Sequence, residues 1–288
     1  MGPVHQGDER VDIPGLEGDS LRAELQGSVA TLTMNRPMQH NALSRELRRN
    51  LTTALRAART DDRVRVVILT GAGERSFSVG ADFTELAAGM LTPDEVGVTT
   101  PLMQAFAALG KPTIAAVNGF AVTGGFELAL NCGIILASRN AQFADTHSRV
   151  GVMSSLGLTQ NLLRAIGPVR TRYLSLTGRY IDAATARDWG LVVDVFDQAD
   201  LLPKARAIAS DIVAGHEGVI ADMERSIRFG NAHTLEAGLA FEEPLARASL
   251  INFNFAAFAS EGEKVKRRGR DGLRRPSEDT GNTTAERS

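Results

Sequence analysis

Cysteine is nearly absent from this chain, which has one, Cys132, among 288 residues. A single cysteine excludes a disulfide framework within the chain and any zinc or iron–sulfur site built on several cysteines. The five histidines never form a His-x-x-x-His pair, so the usual helical zinc signature is missing too. The sequence therefore predicts no metal site and favours a reducing compartment.

An excess of charge of one sign is also missing. The 32 basic and 34 acidic side chains leave a net charge of −2, which gives no electrostatic reason to expect nucleic acid or a membrane surface as a partner. No apolar run approaches the roughly 20 residues of a membrane span, and the acidic first 20 residues have no signal-peptide core. We therefore expect a cytoplasmic protein with no nucleic-acid and no membrane partner.

Two common enzyme motifs are absent. The chain has no G-x-x-x-x-G-K phosphate loop and no G-x-S-x-G nucleophile elbow. The turn Gly71-Ala72-Gly73 starts like a dinucleotide fingerprint, but a third glycine and a following helix pattern are missing. An ordinary strand-to-loop turn is the better interpretation of these glycines.

The sequence does contain enough apolar material for a large core, with 43% hydrophobic and 23% charged residues. Two strands are predicted within 21–34, a helix from Ser44 to about residue 59, and buried strands at 64–70 and 113–117. Alternating strands and helices indicate an α/β fold, and the chain after residue 156 is mostly helical.

Polar, charged composition marks both ends of the chain, so we expect them to be loosely ordered. The pattern predicts four parts. They are a flexible N-terminal segment at 1–19, a core at 20–200, a C-terminal helical region at 201–261 and a charged flexible tail at 262–288.

The segment Gly124-Gly125-Phe126-Glu127 follows a buried strand and opens a predicted helix. The first N–H groups of a helix lack partners within it, so they can point at a ligand, and glycine permits its close approach. Glu127 would lie on the same turn. The alternative is that Glu127 only stabilises the helix through its dipole, and position alone favours neither interpretation.

A second loop, Phe77-Ser78-Val79-Gly80-Ala81-Asp82, also follows a buried strand. If the two strands are neighbours, the N–H groups of Ala81 and Gly124 converge on one oxygen atom and form an oxyanion hole. The alternative is an ordinary turn in which Asp82 caps the next helix.

These loops belong to a set of motifs that resembles the crotonase, or enoyl-CoA hydratase/isomerase, superfamily over about residues 21–258. The other motifs are Asn35-Arg36-Pro37, Asn41-Ala42-Leu43, Lys111-Pro112-Thr113 through Asn118-Gly119, Ala141-Gln142-Phe143-Ala144 and Gly157-Leu158-Thr159-Gln160. The resemblance implies a crotonase-type ββα spiral core with the acyl-CoA site and a C-terminal helical trimerisation region. It also implies a homotrimer or a hexamer made of two trimers.

The resemblance also implies roles for individual residues. The backbone N–H groups of Ala81 and Gly124 would hold the thioester oxygen, and Glu127 matches the first of two catalytic glutamates. The second falls on His147, where this chain departs from the family pattern. The segment 152–156 also departs, because it replaces a proline- and glycine-rich loop of the acyl pocket. Residues implied to bind the substrate or its CoA part are Arg36, Asn41, Ala42, Asp82, Phe83, Thr84 and Gly125.

We therefore predict an enoyl-CoA hydratase-like lyase of lipid metabolism, with Glu127 as principal acid/base and His147 as a second catalytic candidate. Coenzyme A enters as part of the substrate, so no separate cofactor is expected. Two alternatives stay open. One is another acyl-CoA reaction, double-bond isomerisation or hydrolysis, and the other is a non-catalytic CoA-ligand-binding or assembly subunit.

Overall fold

The structure is a computed structural model that describes residues 9–10, 13–90, 92, 95, 97–251 and 253–273. By its internal contacts the chain divides into two compact units, Met1–Thr234 and Leu235–Ser288. The strands are β1 (Glu9–Arg10), β2 (Leu21–Gln26), β3 (Val29–Met34), β4 (Val66–Gly71), β5 (Ser76–Ser78), β6 (Thr113–Val117), β7 (Phe120–Val122), β8 (Ile134–Ser138), β9 (Gln142–Ala144), β10 (Tyr180–Asp182) and β11 (Asp194–Phe196). The α-helices are α1 (Arg45–Thr60), α2 (Phe83–Ala87), α3 (Pro101–Ala108), α4 (Gly124–Leu130), α5 (His147–Val150), α6 (Leu158–Thr177), α7 (Ala183–Asp188), α8 (Gln198–Val213), α9 (Glu217–Ala232), α10 (Leu235–Ile251) and α11 (Phe255–Leu273).

The first unit contains two sheets. The larger has seven strands in the order β1-β2-β3-β4-β6-β8-β11, antiparallel from β1 to β3 and parallel from β3 to β11. The smaller has the order β10-β9-β7-β5, in which β5, β7 and β9 are parallel. Every residue of β4 and β6 is buried, as expected for parallel strands that are covered on both faces.

Helix α1 shows how local sequence produces these elements. The Ser44 side chain accepts a hydrogen bond from the Leu47 N–H and so caps the helix, as the sequence predicts. Leu47, Leu51 and Leu55 recur at helical spacing and are completely or almost completely buried in the core. In α6 the backbone at Gly167 is not helical, so this helix consists of two stretches that meet at a kink.

Helix α8 packs on the larger sheet. Leu201, Ala205 and Ala209 form one buried apolar cluster with side chains of β4, β6 and β8, among them Ile68 and Ile114. Helix α8 therefore belongs to the first unit.

The predicted loose ends lie partly outside the described residues, namely at 1–8, 11–12 and 274–288. Glu9 and Arg10 pair with β2, and residues 262–273 belong to α11, in the second unit. The composition of residues 262–273 favours a helix, because Lys, Arg and Glu have good helix propensity. An ion pair between Lys266 and Glu263 at 2.8 Å also stabilises it. No helix among the described residues is long and apolar enough to cross a membrane.

The smaller sheet places two loops side by side. Strand β5 pairs with β7 in parallel, with Ser76 opposite Phe120 and Ser78 opposite Ala121. The carboxyl ends of neighbouring parallel strands meet at the same edge of a sheet, so the loops after β5 and β7 lie next to each other. The buried strands that the sequence predicts before these loops, β4 and β6, are also parallel neighbours, in the larger sheet.

Candidate active site

A cavity of about 1400 Å³ opens at this edge of the smaller sheet. It is larger than the roughly 300–1,000 Å³ of a typical small-molecule pocket, so a bulky ligand can enter it. Ala81, Gly124, Glu127 and His147 all line it. Its apolar walls include Val79, Leu86, Val122, Val152, Met153 and Leu156.

Two backbone N–H groups meet at the cavity wall. Among the described residues, neither the Ala81 nor the Gly124 N–H donates a hydrogen bond to another group. A Cβ atom added to Gly124 would lie 3.7 Å from the Ala81 nitrogen, so the two loops are in contact. Asp82 also accepts a hydrogen bond from the Thr84 N–H at 2.9 Å and caps α2. The capping interpretation of Asp82 is therefore correct, and it leaves the Ala81 N–H free.

Glu127 is buried on the first turn of α4, with 1% of its surface exposed. Its Oε1 atom accepts hydrogen bonds from the N–H groups of Ser155 at 3.0 Å and Leu156 at 2.7 Å. Burial raises the pKa of the Glu127 carboxyl, although these N–H groups and the nearby His147 oppose the rise. These bonds join Glu127 to the loop at 155–156, while its Oε2 atom lies toward His147.

His147 opens the short helix α5 and faces Glu127. Its Nε2 atom lies 3.8 Å from Oε2 of Glu127, and its Nδ1 atom lies 2.7 Å from Oδ1 of Asp145. A carboxylate only accepts hydrogen bonds, so Nδ1 carries the hydrogen that Asp145 accepts, and Nε2 is directed toward Glu127. Asp145 is 2% exposed and holds the imidazole in this orientation.

The electrostatics of His147 and Asp145 follow from this contact. Burial lowers the pKa of His147, but the hydrogen bond to Asp145 and the charges of Glu127 and Asp145 outweigh it, so the pKa is raised above 6.5. Burial raises the pKa of Asp145, and the hydrogen bond from His147 is among the effects that reverse this, so its pKa is lowered. The sequence pattern does not predict a role for Asp145. Its only signal is a carboxylate two residues before the candidate histidine.

The residues predicted to bind the substrate or CoA separate into two groups. Ala42, Asp82, Phe83 and Thr84 line the cavity. Arg36 lies behind them, with its Nη1 atom 2.8 Å from Oδ2 of Asp82 and donating to the Ala42 carbonyl. Arg36 therefore supports the cavity wall from outside.

Asn41 and Gly125 do not line the cavity. The Asn41 side chain is completely buried and donates to the carbonyl of Ser76 at 2.7 Å, which ties the loop before α1 to β5. A Cβ atom on Gly125 would lie 1.9 Å from the Ser78 carbonyl oxygen, so only glycine lets α4 pack this closely on β5. Both residues position the loops of the site.

Arg48 is a cationic group in the cavity wall that the sequence analysis did not single out. Its Nη2 atom lies 3.9 Å from Glu85 and 3.8 Å from Glu95, so two carboxylates balance its charge. No group of three His, Cys, Asp or Glu side chains suited to a metal ion occurs in the part of the chain that the structure describes.

The sequence profile of the enoyl-CoA hydratase/isomerase family matches residues 24–252 of this chain. The chain belongs to this family. It is 38% identical over 243 residues to the Arabidopsis thaliana protein named "Probable enoyl-CoA hydratase 1, peroxisomal", covering 84% of this chain and 91% of the relative. It is 34% identical over 229 residues to a short-chain-enoyl-CoA hydratase of Clostridium acetobutylicum, covering 79% and 88%.

Solved structures of enoyl-CoA hydratases are also similar to this chain. The crystal structure of an enoyl-CoA hydratase from Bacillus anthracis superimposes with a TM-score of 0.78 at 31% identity, covering 84% of this chain and 97% of that one. Membership of the enoyl-CoA hydratase/isomerase family confirms the predicted crotonase fold and the predicted enzyme class.

Proposed function

We propose that this protein catalyses the reversible hydration of a 2-enoyl-CoA thioester. The observation that carries the proposal is the pair formed by Glu127 and His147, whose facing atoms are 3.8 Å apart in the wall of one large cavity. The N–H groups of Ala81 and Gly124, which donate to no other group among the described residues, lie in the same wall. Family relatives that are named enoyl-CoA hydratases over most of the chain support this reaction class.

The two N–H groups account for activation of the thioester. When water attacks the β-carbon of an enoyl thioester, negative charge moves to the thioester oxygen. Donors from Ala81 and Gly124 that are already in place stabilise this charge without reorganisation, and one such donor typically contributes about 10²- to 10³-fold in rate. The cavity therefore contains an oxyanion hole formed by the loops after β5 and β7.

Glu127 and His147 account for the two proton transfers. Glu127 accepts a proton from water through Oε2 as the water oxygen bonds to the β-carbon. The protonated imidazole of His147 then gives the hydrogen on Nε2 to the α-carbon, which completes the addition of one water molecule. The proton on Glu127 returns to His147, so both groups regain their starting states. In this assignment His147 acts from the position that matches the second catalytic glutamate of the family pattern.

The proposal includes a homotrimer or hexamer and a cytoplasmic location. Support for an oligomer comes from α6, where Val169, Tyr173 and Leu176 form a stripe at helical spacing. Val169 is 78% and Leu176 71% exposed in the single chain. An apolar stripe of this kind on a helix surface is typical of contact with another subunit.

The reaction is tested with purified protein and a series of 2-enoyl-CoA thioesters, starting with crotonyl-CoA. Hydration removes the absorbance of the conjugated double bond and adds the mass of one water, with no free thiol. Isomerisation leaves the mass unchanged, and hydrolysis releases the CoA thiol. Either of those products, or binding without turnover across the series, would contradict the proposal.

Asp145 gives a sharper test of the acid/base assignment. Since the hydrogen bond to Asp145 and the charge of that carboxylate raise the pKa of His147, Asp145→Asn should lower that pKa. His147 acts in its protonated form, so activity falls as pH rises through its pKa. We therefore expect the alkaline limb of kcat against pH to move to lower pH, with kcat at neutral pH reduced roughly tenfold or more.

The control for this variant is Asp197→Asn, which removes an exposed carboxylate paired with Arg139 far from the cavity. It should leave the pH profile unchanged. If Asp145→Asn instead moved only the acid limb, His147 would act as the base, and the roles of His147 and Glu127 would have to be exchanged.

A further inference from the structure

Thr123 has a strained backbone directly beside the proposed oxyanion hole. Its φ of 48° and ψ of −118° lie in a region that β-branched residues rarely adopt. Such a conformation costs free energy and persists only where surrounding contacts hold it. Glycine would adopt it without strain, so the backbone alone gives no reason for threonine at this position.

Three hydrogen bonds hold Thr123. Its N–H donates to the carbonyl of Ala144 at 3.0 Å, and its carbonyl accepts from the Glu127 N–H at 2.9 Å. Its hydroxyl donates to the carbonyl of Val79 at 2.9 Å. The first two bonds use the backbone, so any residue can make them. The third needs a hydroxyl and reaches the other loop of the cavity wall.

The hydrogen bond from the Thr123 hydroxyl joins the two loops close to the N–H groups of Ala81 and Gly124. Thr123 directly precedes Gly124, and Val79 lies two residues before Ala81. The loops are also closely packed here, because a Cβ atom on Gly80 would lie 2.7 Å from the Gly124 nitrogen. A change in the Thr123 contact therefore moves the two N–H groups relative to each other.

We propose that Thr123 is a positioning residue, whose hydroxyl fixes the separation of the Ala81 and Gly124 N–H groups. This inference rests on the proposed oxyanion hole. Donors stabilise an oxyanion only at about 2.7–3.1 Å, and a misplacement of about 1 Å costs on the order of 10²-fold in rate. The strain at Thr123 is thus offset by the hydrogen bond from its hydroxyl to the Val79 carbonyl, which glycine cannot make.

The test compares Thr123→Val, Thr123→Gly and Thr123→Ser in the full chain. Valine keeps the shape without the hydroxyl, glycine removes the strain so that the loop still folds, and serine keeps the hydroxyl. We measure kcat with crotonyl-CoA, the dissociation constant of unreactive butyryl-CoA, and the carbonyl stretching frequency of bound butyryl-CoA labelled with ¹³C at the thioester carbon.

We expect Thr123→Val and Thr123→Gly to lose roughly 10- to 100-fold in kcat, with the dissociation constant changed by less than about threefold. Their carbonyl frequency should return toward the value of free butyryl-CoA, whereas Thr123→Ser stays close to the wild-type protein. The matched control is Thr70→Val, which removes the hydroxyl bond from Thr70 to the Ala116 carbonyl at 2.8 Å in the larger sheet. It should lower stability without changing the carbonyl frequency.

Two results would overturn the proposal in distinguishable ways. A wild-type carbonyl frequency in folded Thr123→Gly and Thr123→Val would eliminate the role of Thr123 and leave the oxyanion hole intact. Bound butyryl-CoA with the frequency of the free thioester in the wild-type protein would eliminate the oxyanion hole itself, and the role of Thr123 with it.

Discussion

Glu127→Gln should lower the hydration of crotonyl-CoA by roughly 10²- to 10⁴-fold, which is the range for loss of a positioned acid/base group. The amide oxygen of glutamine still accepts the N–H groups of Ser155 and Leu156, so the loop keeps its place. The amide nitrogen then takes the place of Oε2 opposite His147 and cannot accept a proton from water. The loss should therefore appear in kcat, while the dissociation constant of butyryl-CoA changes little.

The same substitution has a predictable effect on stability. Burial raises the pKa of Glu127 in the folded protein, so its ionised form is less favourable there than in the unfolded chain at neutral pH. This contribution to stability is present below the unfolded pKa and is lost as pH rises through the folded pKa. A neutral glutamine avoids the loss, and we expect Glu127→Gln to melt no lower than the wild-type protein at pH 7.

The matched control is Glu24→Gln. Glu24 lies on β2 and pairs with Arg206 at 3.1 Å, away from the cavity. This variant should keep wild-type turnover. Normal turnover in folded Glu127→Gln would show that Glu127 has only a structural role. Stabilisation of its own helix is the structural alternative that the sequence leaves open.

The sequence predicts the long elements well, for reasons that the structure makes plain. The strand at 113–117 and the capped helix α1 have continuous apolar or helical patterns, because they contribute whole faces to the core. The sequence pattern does not predict strands β5 and β7, because each has only three residues and is defined by its pairing with a neighbouring strand. Local pattern carries no information about such a partner, although the loops after both strands were singled out.

In the candidate site, too, some residues can be predicted from local sequence and others depend on a contact that local sequence does not reveal. Glu127 is predictable because two glycines and a carboxylate open a helix after a buried strand. Asp145 is not, because its sequence context does not reveal the turn at Thr146 that brings its carboxylate to His147. Thr123 is hidden for a related reason. Its sequence context does not reveal a positive φ, and its hydroxyl acceptor is 44 residues away.

His147 carries the second large expected effect. His147→Ala and His147→Gln should each lower crotonyl-CoA hydration by about 10²-fold or more, because neither side chain can give a proton to the α-carbon. Glutamine is the closer mimic in size, so a loss shared by both variants separates proton transfer from packing. His216→Ala removes an exposed histidine at the start of α9 and serves as the control, with turnover unchanged.

The pH profile and a third variant decide what His147 supplies. In the wild-type protein activity should fall as pH rises through the raised pKa of His147, and this alkaline limb should vanish in His147→Gln. His147→Glu places a carboxyl between Asp145 and Glu127, whose negative charges raise its pKa and let it retain a proton to donate. We therefore expect His147→Glu to exceed His147→Ala by at least about tenfold, since it restores two carboxyl groups at the site. If His147→Ala instead turned over every enoyl-CoA at the wild-type rate, proton transfer to the α-carbon would belong to Glu127 alone, acting with the N–H groups of Ala81 and Gly124.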